Sequence, residues 1–268
     1  MGDDDHRRRY PSEDRISGLP DEVLQDILVR LGSARAAART SVLSRRWRHV
    51  WADVPEFILD GGPDAPPPSS PASFLSIIDA ALDAHAASTV QRLLIAVSDA
   101  YADAITNGRA ASWLRFAAKR VAGTLSLLVP RGLGWPSSLL PVELPVCGRA
   151  KRITLQLRDA WRLQTPPDGV FTALTALTIL FGRMEGRELT ALVSTQCPCL
   201  RDLKLSLSLV HVSHVSVHSD TLRSLQLCIS NSSQVEVIAQ RLEKLCVYDT
   251  FMGRISAPQA FRVVLDRR

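Results

Sequence analysis

The first sixty residues place their apolar side chains at helical spacing. Five residues fall at i, i+1, i+4, i+5 and i+8, which is one stripe of a 3.6-residue helix: Val23, Leu24, Ile27, Leu28 and Leu31. Pro20 stands at the start of that stripe and Gly32 directly after it, as expected for the first turn and the end of a helix. The pattern predicts an amphipathic helix between these two residues.

Two shorter helices are predicted to follow. Ser33 can cap a helix that runs through an alanine-rich segment to Thr40, and Ser44 can cap a third helix. The apolar positions of the third helix are spaced at i, i+3, i+4 and i+7: Trp47, Val50, Trp51 and Val54. Three short helices enclose only a small core, so part of their apolar surface needs cover from a partner or from the rest of the chain.

A break separates this helical region from the rest of the sequence. Residues 61–71 contain two glycines and five prolines, which cannot propagate a helix or a central strand. We therefore predict a disordered tail over residues 1–14, a helical domain over 15–59, a linker or loop over 60–73 and a repeat domain over 74–268.

Beyond the break, a short word of leucines recurs. Good copies of L-x-x-L-x-L begin at residues 174, 200, 222 and 242, which are 26, 22 and 20 residues apart, and looser copies occur at 90–95, 153–157 and 260–265. No single copy can bury its alternating leucines, whereas parallel stacking of neighbouring copies makes one continuous core. The spacing predicts an irregular leucine-rich-repeat solenoid of the α/β class with a parallel sheet.

Apolar residues at helical spacing lie between some of these strands. Residues 74–82, 113–120 and 188–195 are predicted to form helices in the outer layer of the solenoid. The alternative is a generic α/β sheet whose strands happen to share leucines, and four good copies of the word favour the repeat.

Charge and hydropathy narrow the class of protein. The net charge is +5, but the basic residues are scattered and the acids nearly balance them, which argues against a nucleic-acid-binding protein. Only Ser44–Arg48 could pass for a recognition helix. The chain has no run of eighteen apolar residues and no apolar segment of a secretory signal, so we expect a protein of the nucleus, the cytoplasm or both, without membrane contact.

No enzyme motif is present, so neither catalysis nor a cofactor is expected. His211, His214 and His218 are the one tempting metal-ligand cluster. Alternation of valine and serine predicts a strand there, on which His211 lies on the opposite face from the other two, so we expect no metal site. The five cysteines are odd in number, and Cys197 and Cys199 are too close in sequence for a zinc pair, so ordinary thiols are expected.

Two segments of the helical region resemble an F-box, in particular that of the plant F-box/leucine-rich-repeat proteins. The first is D-R-I-S-G-L-P-D-E-V-L over residues 14–24, continued by the apolar stripe, and the second is A-R-T-S-V-L-S-R-R-W-R-H-V-W over residues 38–51. In the repeat region, C-P-C-L-R-D-L over 197–203 and I-S-A-P over 255–258 also resemble that family. Many relatives continue into a C-terminal module called FBD, which this chain is too short to contain, so the repeat array is expected to be short or truncated.

This resemblance implies a function and two binding surfaces. An F-box docks on a Skp-type adaptor, which joins it to a cullin and a RING subunit, while the repeats hold a target protein for ubiquitin transfer. The chain itself would then not be an enzyme. The residues expected to contact the adaptor are Leu19, Pro20, Val23, Leu24, Ile27, Leu28, Leu31, Val42, Leu43 and Trp47.

The target surface is predicted from strand alternation alone. If the strands line the concave face, the positions between the inward leucines contact the target: Thr178, Lys204, Ser206, Gln226, Cys246 and Tyr248. These side chains are mixed in sign and size, so they do not indicate a charged target. Two other functions stay open: a ligand-sensing receptor in which a small molecule completes the repeat surface, and an interaction scaffold without ligase activity.

Overall fold

A computed structural model describes residues 18–30, 45–60, 71–131, 138–248 and 261–264 of the 268-residue chain. Within these ranges, helices at the amino-terminal end are followed by a parallel sheet arranged as a solenoid, which confirms the predicted α/β class. No helix of the described ranges is long and apolar enough to cross a membrane.

Within the described ranges, two helices precede the sheet, α1 (Asp21–Arg30) and α2 (Arg45–Ala52). Asp21 and Glu22 lie in the first turn of α1 and Arg30 in its last turn, so charged side chains at both ends complement the helix dipole. The helix predicted over residues 33–40 lies outside the described residues. Both helices share one small hydrophobic cluster, composed of Leu24, Leu28, Trp47, Val50 and Val54.

Eleven strands of the described chain form one sheet, and every pairing between them is parallel. Eight of them make the main ladder, in the order β1-β2-β3-β5-β7-β8-β9-β10. Their bounds are β1 Glu56–Asp60, β2 Val90–Ala96, β3 Val121–Leu128, β4 Leu140–Glu143, β5 Arg152–Gln156, β6 Trp161–Gln164, β7 Ala176–Met184, β8 Asp202–His218, β9 Ser224–Ile238, β10 Lys244–Val247 and β11 Phe261–Val264.

The register of the main ladder aligns the leucines of the repeat word in two transverse rows. The first row is Phe57, Leu93, Leu125, Ile153, Leu177, Leu203, Leu225 and Leu245; the second is Leu59, Ile95, Leu127, Leu155, Ile179, Leu205, Leu227 and Val247. All are buried except Leu245 and Val247, which lie on the edge strand β10 and are 38% and 43% exposed. Stacking therefore supplies the core that one repeat cannot make.

Helices cover the inward face of the first part of this ladder. Side chains of α3 (Pro71–Ala84) and α4 (Asn107–Arg120) join the same core as the strand leucines. The Thr106 side chain caps α4 by accepting a hydrogen bond from the backbone N–H of Arg109 at 3.2 Å. A 3₁₀ segment, Asp99–Ala104, leads into that helix. These two helices confirm the predictions for residues 74–82 and 113–120.

In the second part of the array, strands replace most of the outer helices. Strand β4 pairs with β6, which pairs with the end of β7, and the far parts of β8 and β9 pair with each other. We call this set, together with β11, the second ladder. The predicted helix over 188–195 is present as α5 (Gly186–Ala191) and a π-helical turn, and Ser194 of this turn accepts the backbone N–H of His218 at the edge of β8.

The long strands bend where they pass from one ladder to the other. In β7, Phe181 and Gly182 have positive φ angles of 62° and 75°, and the register with β8 shifts between Leu180 and Arg183. Asn231 has a φ of 62° in β9. Gly182 and Asn231 are of the residue types that adopt this left-handed backbone at the lowest cost, so the local sequence favours a bend at each of them, whereas Phe181 is not of such a type.

Two of the predicted positions need correction. The prediction assigns residues 56–59 to the helical domain and residue 60 to the linker, but Glu56–Asp60 form β1, which pairs with β2 as the first strand of the main ladder. The loose copy at 260–265 was predicted as one more repeat strand; its Phe261–Val264 instead pairs with the far end of β9, in the second ladder. In addition, α3 begins at Pro71, inside the predicted linker, because proline is well tolerated in the first turn of a helix.

Candidate binding surfaces

The first candidate surface is the outer side of α1. Val23 and Ile27 are 41% and 37% exposed, although they are large aliphatic side chains on a helix. Leu24 and Leu28, on the same predicted stripe, are 0% and 2% exposed because they face α2. The stripe is therefore divided between the small core and a surface that the described residues leave open.

An arginine holds the two helices together at this surface. Arg46 of α2 forms an ion pair with Asp21 of α1, with its Nη2 2.6 Å from Oδ1, and it also donates to the backbone carbonyl of Leu19. The pair is exposed, so its contribution to stability is small. It fixes the beginning of α1 relative to α2 and thereby the direction in which Val23 and Ile27 face.

The structure assigns different positions to the ten predicted adaptor contacts. Pro20 is exposed and Leu19 is half-buried, so both can take part in a surface with Val23 and Ile27. Leu24, Leu28 and Trp47 are buried by this chain, which corrects their assignment as direct contacts in this conformation. Since α1 and α2 pack on each other, their apolar side chains serve the small core first. The other three lie outside the described residues: Leu31, Val42 and Leu43.

The end of α2 is joined directly to the first turn of the repeat array. The backbone carbonyl of Ala52 accepts a hydrogen bond from the N–H of Ala86 at 2.9 Å, and the carbonyl of Pro55 accepts one from Gln91 at 2.8 Å. Trp51 packs against both the small cluster and the large core, and its ring lies 5.9 Å from that of Phe57. We call this contact the junction.

His85 and Arg120 complete the junction, and the sequence patterns gave no signal for either. The His85 ring is buried against Phe57, at a centroid distance of 4.6 Å, with its Nε2 3.1 Å from the carbonyl oxygen of Val54. Arg120 donates to the backbone carbonyls of His85 and Ala87. Burial lowers the pKa of His85, and the nearby Arg120 charge acts in the same direction.

The second candidate surface is the outward face of the main ladder. Thr178, Lys204, Gln226 and Cys246 lie in one transverse row, because the register pairs each with the next across β7, β8, β9 and β10. Lys204 is exposed and the other three are half-buried. Four residues chosen from sequence alternation are thus neighbours in space.

The other two predicted target contacts behave differently. Ser206 is only 8% exposed, which corrects its assignment as a contact, since it lies on β8 between Leu180 and Cys228 of the neighbouring strands. Tyr248, directly after β10, is 59% exposed and lies at the edge of the sheet.

The histidine segment is part of β8, as predicted, and all three histidines are exposed. His218 forms a hydrogen bond with Ser216, with 2.7 Å between Nε2 and Oγ. In the described parts of the chain, no group of three or more histidine, cysteine, aspartate and glutamate side chains is arranged to hold a metal ion. Burial raises the pKa of the Cys147 and Cys197 thiols to about 12, so both are protonated at neutral pH.

Two family models match the chain, one over the region of each candidate surface. The F-box domain matches residues 16–59, which include α1 and α2. The model described as "FBD-associated F-box protein At5g56370, LRR repeats" matches residues 110–264, more than half of the chain.

Similar proteins are found among plant F-box proteins. The chain is 34% identical over 229 residues to the F-box/FBD/LRR-repeat protein At2g05300 of Arabidopsis thaliana, covering 82% of this chain and 47% of that protein. It is 33% identical over 155 residues to the meiotic F-box protein MOF of Oryza sativa subsp. japonica, covering 53% and 32%. It is 44% identical over 64 residues to F-box/LRR-repeat protein 25 of Arabidopsis thaliana, covering 22% and 25%.

The chain spans about half the length of the long curated relatives that it matches: 43%, 51% and 47% of three of them. No solved structure matches it.

Proposed function

The chain belongs to the plant F-box/leucine-rich-repeat family, and from this membership we propose that it is the substrate-recognition subunit of a Skp–cullin–F-box ubiquitin ligase. In this role α1 and α2 dock on a Skp-type adaptor, and the outward face of the main ladder binds a target protein. The chain contributes no catalytic group, because the conjugating enzyme carries out ubiquitin transfer.

The observation that carries this proposal is the exposure of Val23 and Ile27. Both occupy the apolar stripe of the F-box helix, yet neither is covered by the described residues. Fully burying a side chain of this size contributes roughly 1.5–3 kcal/mol, and part of that gain offsets the entropy lost on association. Two such residues, flanked by Leu19 and Pro20, therefore give an apolar partner helix a useful anchor.

The repeats contribute by holding the target close to the ubiquitin thioester. Such a subunit raises the effective concentration of a target lysine without taking part in bond formation. The junction supports this role, because its backbone hydrogen bonds tie α2 to the first repeat. An adaptor docked on α1 would therefore be held in a definite orientation relative to the target surface.

The proposal is tested by placing charges on the exposed stripe. In the variant Val23→Asp with Ile27→Asp, the folded chain should lose at least tenfold in affinity for a purified Skp-type adaptor, because two carboxylates would have to be desolvated at the interface. Isothermal titration calorimetry gives the affinity, and circular dichroism checks that α1 is retained.

A matched control uses apolar residues exposed elsewhere. Val170→Asp with Val212→Asp adds the same charge at sites that are 46% and 73% exposed in the repeat array. This control should bind the adaptor as the unmodified chain does. Unchanged adaptor affinity of a folded Val23→Asp, Ile27→Asp variant would refute the docking surface, and no binding by the unmodified chain would refute the ligase role.

A further inference from the structure

Six cations that are scattered in the sequence come together at the amino ends of the strands. Successive backbone hydrogen bonds of 2.8–2.9 Å connect Gly123, Lys151, Thr175, Arg201, Arg223 and Glu243 into one line across the sheet. Strand positions one to three residues beyond this line add three more cations. We call the resulting set the basic band: Lys151, Arg152, Arg201, Lys204, Arg223 and Lys244.

The basic band is exposed and largely uncompensated. All six side chains are exposed, and among the described residues only Arg223 has an ion pair, with Glu243 at 3.6 Å. That pair is weak, since its side chains are 52% and 69% exposed. Two acids lie within the band, Asp202 and Glu243, so four positive charges remain in excess.

Several cations elsewhere on the array are paired with acids. At the opposite, carboxyl end of the strands, Arg131 lies 2.7 Å from Asp159, and Arg162 lies 3.3 Å from Glu185. At the amino-terminal strand, Arg92 faces Glu56 at 3.8 Å. These three cations are paired, whereas five of the six cations of the basic band have no ion pair within the described residues.

We propose that the basic band binds an extended acidic segment of the target protein, which rests on the function proposed above. Arg152, Lys204 and Lys244 follow one another at two-strand intervals, which is about 10 Å across the strands at a spacing of about 4.8 Å between neighbours. Asp202 is in register with Arg152 and Lys244, and Lys204 lies two residues further along the same strand, so the three cations form a zigzag. An extended peptide advances about 3.3 Å per residue, so an acid at every third position meets one cation after another.

The residues between the cations suit a peptide. Thr154, Thr178 and Gln226 lie in the same outward row as Lys204 and are half-buried, so their hydroxyl and amide groups are fixed near the path of the bound segment. Such groups can satisfy the peptide backbone. Carboxylate and phosphate groups share the anionic chemistry recognised here, and an acidic or a phosphorylated segment would both fit.

A protein segment fits this band better than a nucleic acid does. Asp202 and Glu243 interrupt the cations and would repel a continuous phosphate backbone, whereas a peptide can place neutral residues opposite them. Within the band itself there is also no aromatic side chain to stack on a base.

The test measures binding of short fluorescent peptides to the full chain in complex with the adaptor. The probe carries glutamate at every third position in a glycine-serine background; companion probes carry phosphoserine or lysine at those positions, and a single-stranded RNA of similar length serves as a fourth. Fluorescence anisotropy should show binding of the glutamate or phosphoserine peptide that weakens with salt, and the comparison of these two identifies the preferred anion.

Charge reversal within the band provides the decisive comparison. Arg152→Glu with Lys204→Glu should weaken binding of the acidic peptide about tenfold or more while adaptor affinity stays unchanged. The matched control, Arg115→Glu with Lys119→Glu on the exposed side of α4, changes the net charge equally and should retain peptide binding. Equal losses in both variants, absence of binding by either anionic peptide, or tighter binding of the RNA would each overturn the inference. If the unmodified chain did not bind the adaptor, the proposed function would be contradicted. Peptide binding could then still be measured on the chain alone, so the two failures are distinguishable.

Discussion

The two halves of the repeat array share one sheet but differ in what covers its faces. From β1 to β3 the inward face is covered by α3 and α4. From β7 to β9 each strand continues beyond the main ladder, and these continuations form the second ladder with β4 and β6. The leucine rows run through both halves without interruption. The repeat word therefore determines the sheet, and the chain between the words is free to become helix or strand.

The outward faces of the two halves differ as well. Ile58 and Leu94 occupy the central outward row in the first half, and Lys204 and Gln226 occupy it in the second. On the strands of the first half Arg92 is paired with Glu56, whereas the second half carries the basic band. Target recognition is thus expected in the half more distant from the F-box.

The largest losses of stability should come from truncating a large buried side chain in the core of either half. Trp113 on α4 and Trp161 on β6 are both 1% exposed, so each replacement by alanine should lower the free energy of unfolding by about 3–5 kcal/mol. If the halves fold as one unit, urea unfolding followed by circular dichroism will show a single transition, shifted similarly in both variants. Two separated transitions, each sensitive to only one replacement, would show that the halves are independent.

A somewhat smaller effect is expected at the bend between the ladders. Gly182→Val should lower the free energy of unfolding by about 1–3 kcal/mol, because the residue has a φ of 75° and its Cβ would lie 3.2 Å from that of Leu157. Gly108→Ala is the control: it lies in α4 with open space around it, so it should raise stability by up to about 1 kcal/mol. A harmless Gly182→Val would mean that the bend does not need the left-handed backbone.

His85 should make the helix-covered half sensitive to acid. Its pKa is lowered in the folded chain, so on acidification the unfolded chain binds a proton before the folded chain does. The stability of the folded chain should therefore be full above the ordinary histidine pKa and should fall as the pH drops below it. Urea unfolding of the unmodified chain and of His85→Gln at neutral and mildly acidic pH checks this, and equal pH dependence of the two would contradict it.

The smallest effect is expected at the cap of α4. Thr106→Ala removes the side-chain acceptor for the Arg109 N–H and should cost about 0.5–1 kcal/mol of unfolding free energy, while Thr106→Ser should restore most of it. The transition measured by urea unfolding should keep its slope in both variants. A loss above about 2 kcal/mol would mean that Thr106 also supports packing between the helix and the sheet.

The sequence predicted what depends on periodicity. The four good copies of the leucine word mark the starts of β7, β8, β9 and β10, because alternation and spacing alone place their apolar residues on one face of the sheet. Strands β4 and β6 have only four residues each, too few for a periodic signal, and their existence depends on the bends in longer strands. The outward row from Thr178 to Cys246 was predicted by the same alternation.

The basic band becomes visible when the copies of the word are aligned in the register of the sheet, since its residues are scattered in the linear sequence. The register of the sheet makes Ala150 the first residue of the copy in β5, three residues before the predicted start at Ile153. In that register Lys151, Arg201 and Arg223 occupy the second position of the word, and Arg152 and Lys244 occupy the third. The division of the α1 stripe could not be predicted, since Val23 and Leu24 are adjacent and equally apolar. Only the position of α2 decides which of them is buried.

The junction has a consequence for the proposed ligase. Because Ala52 and Pro55 are hydrogen-bonded to the first turn of the array, the F-box helices and the repeats should change their relative orientation little when an adaptor and a target are bound. The position of the target lysines would then decide which of them are modified: only lysines at a suitable number of residues from the bound segment would come close to the ubiquitin thioester. Moving a lysine along the target sequence would then be enough to prevent ubiquitination of the target, even with every binding contact preserved.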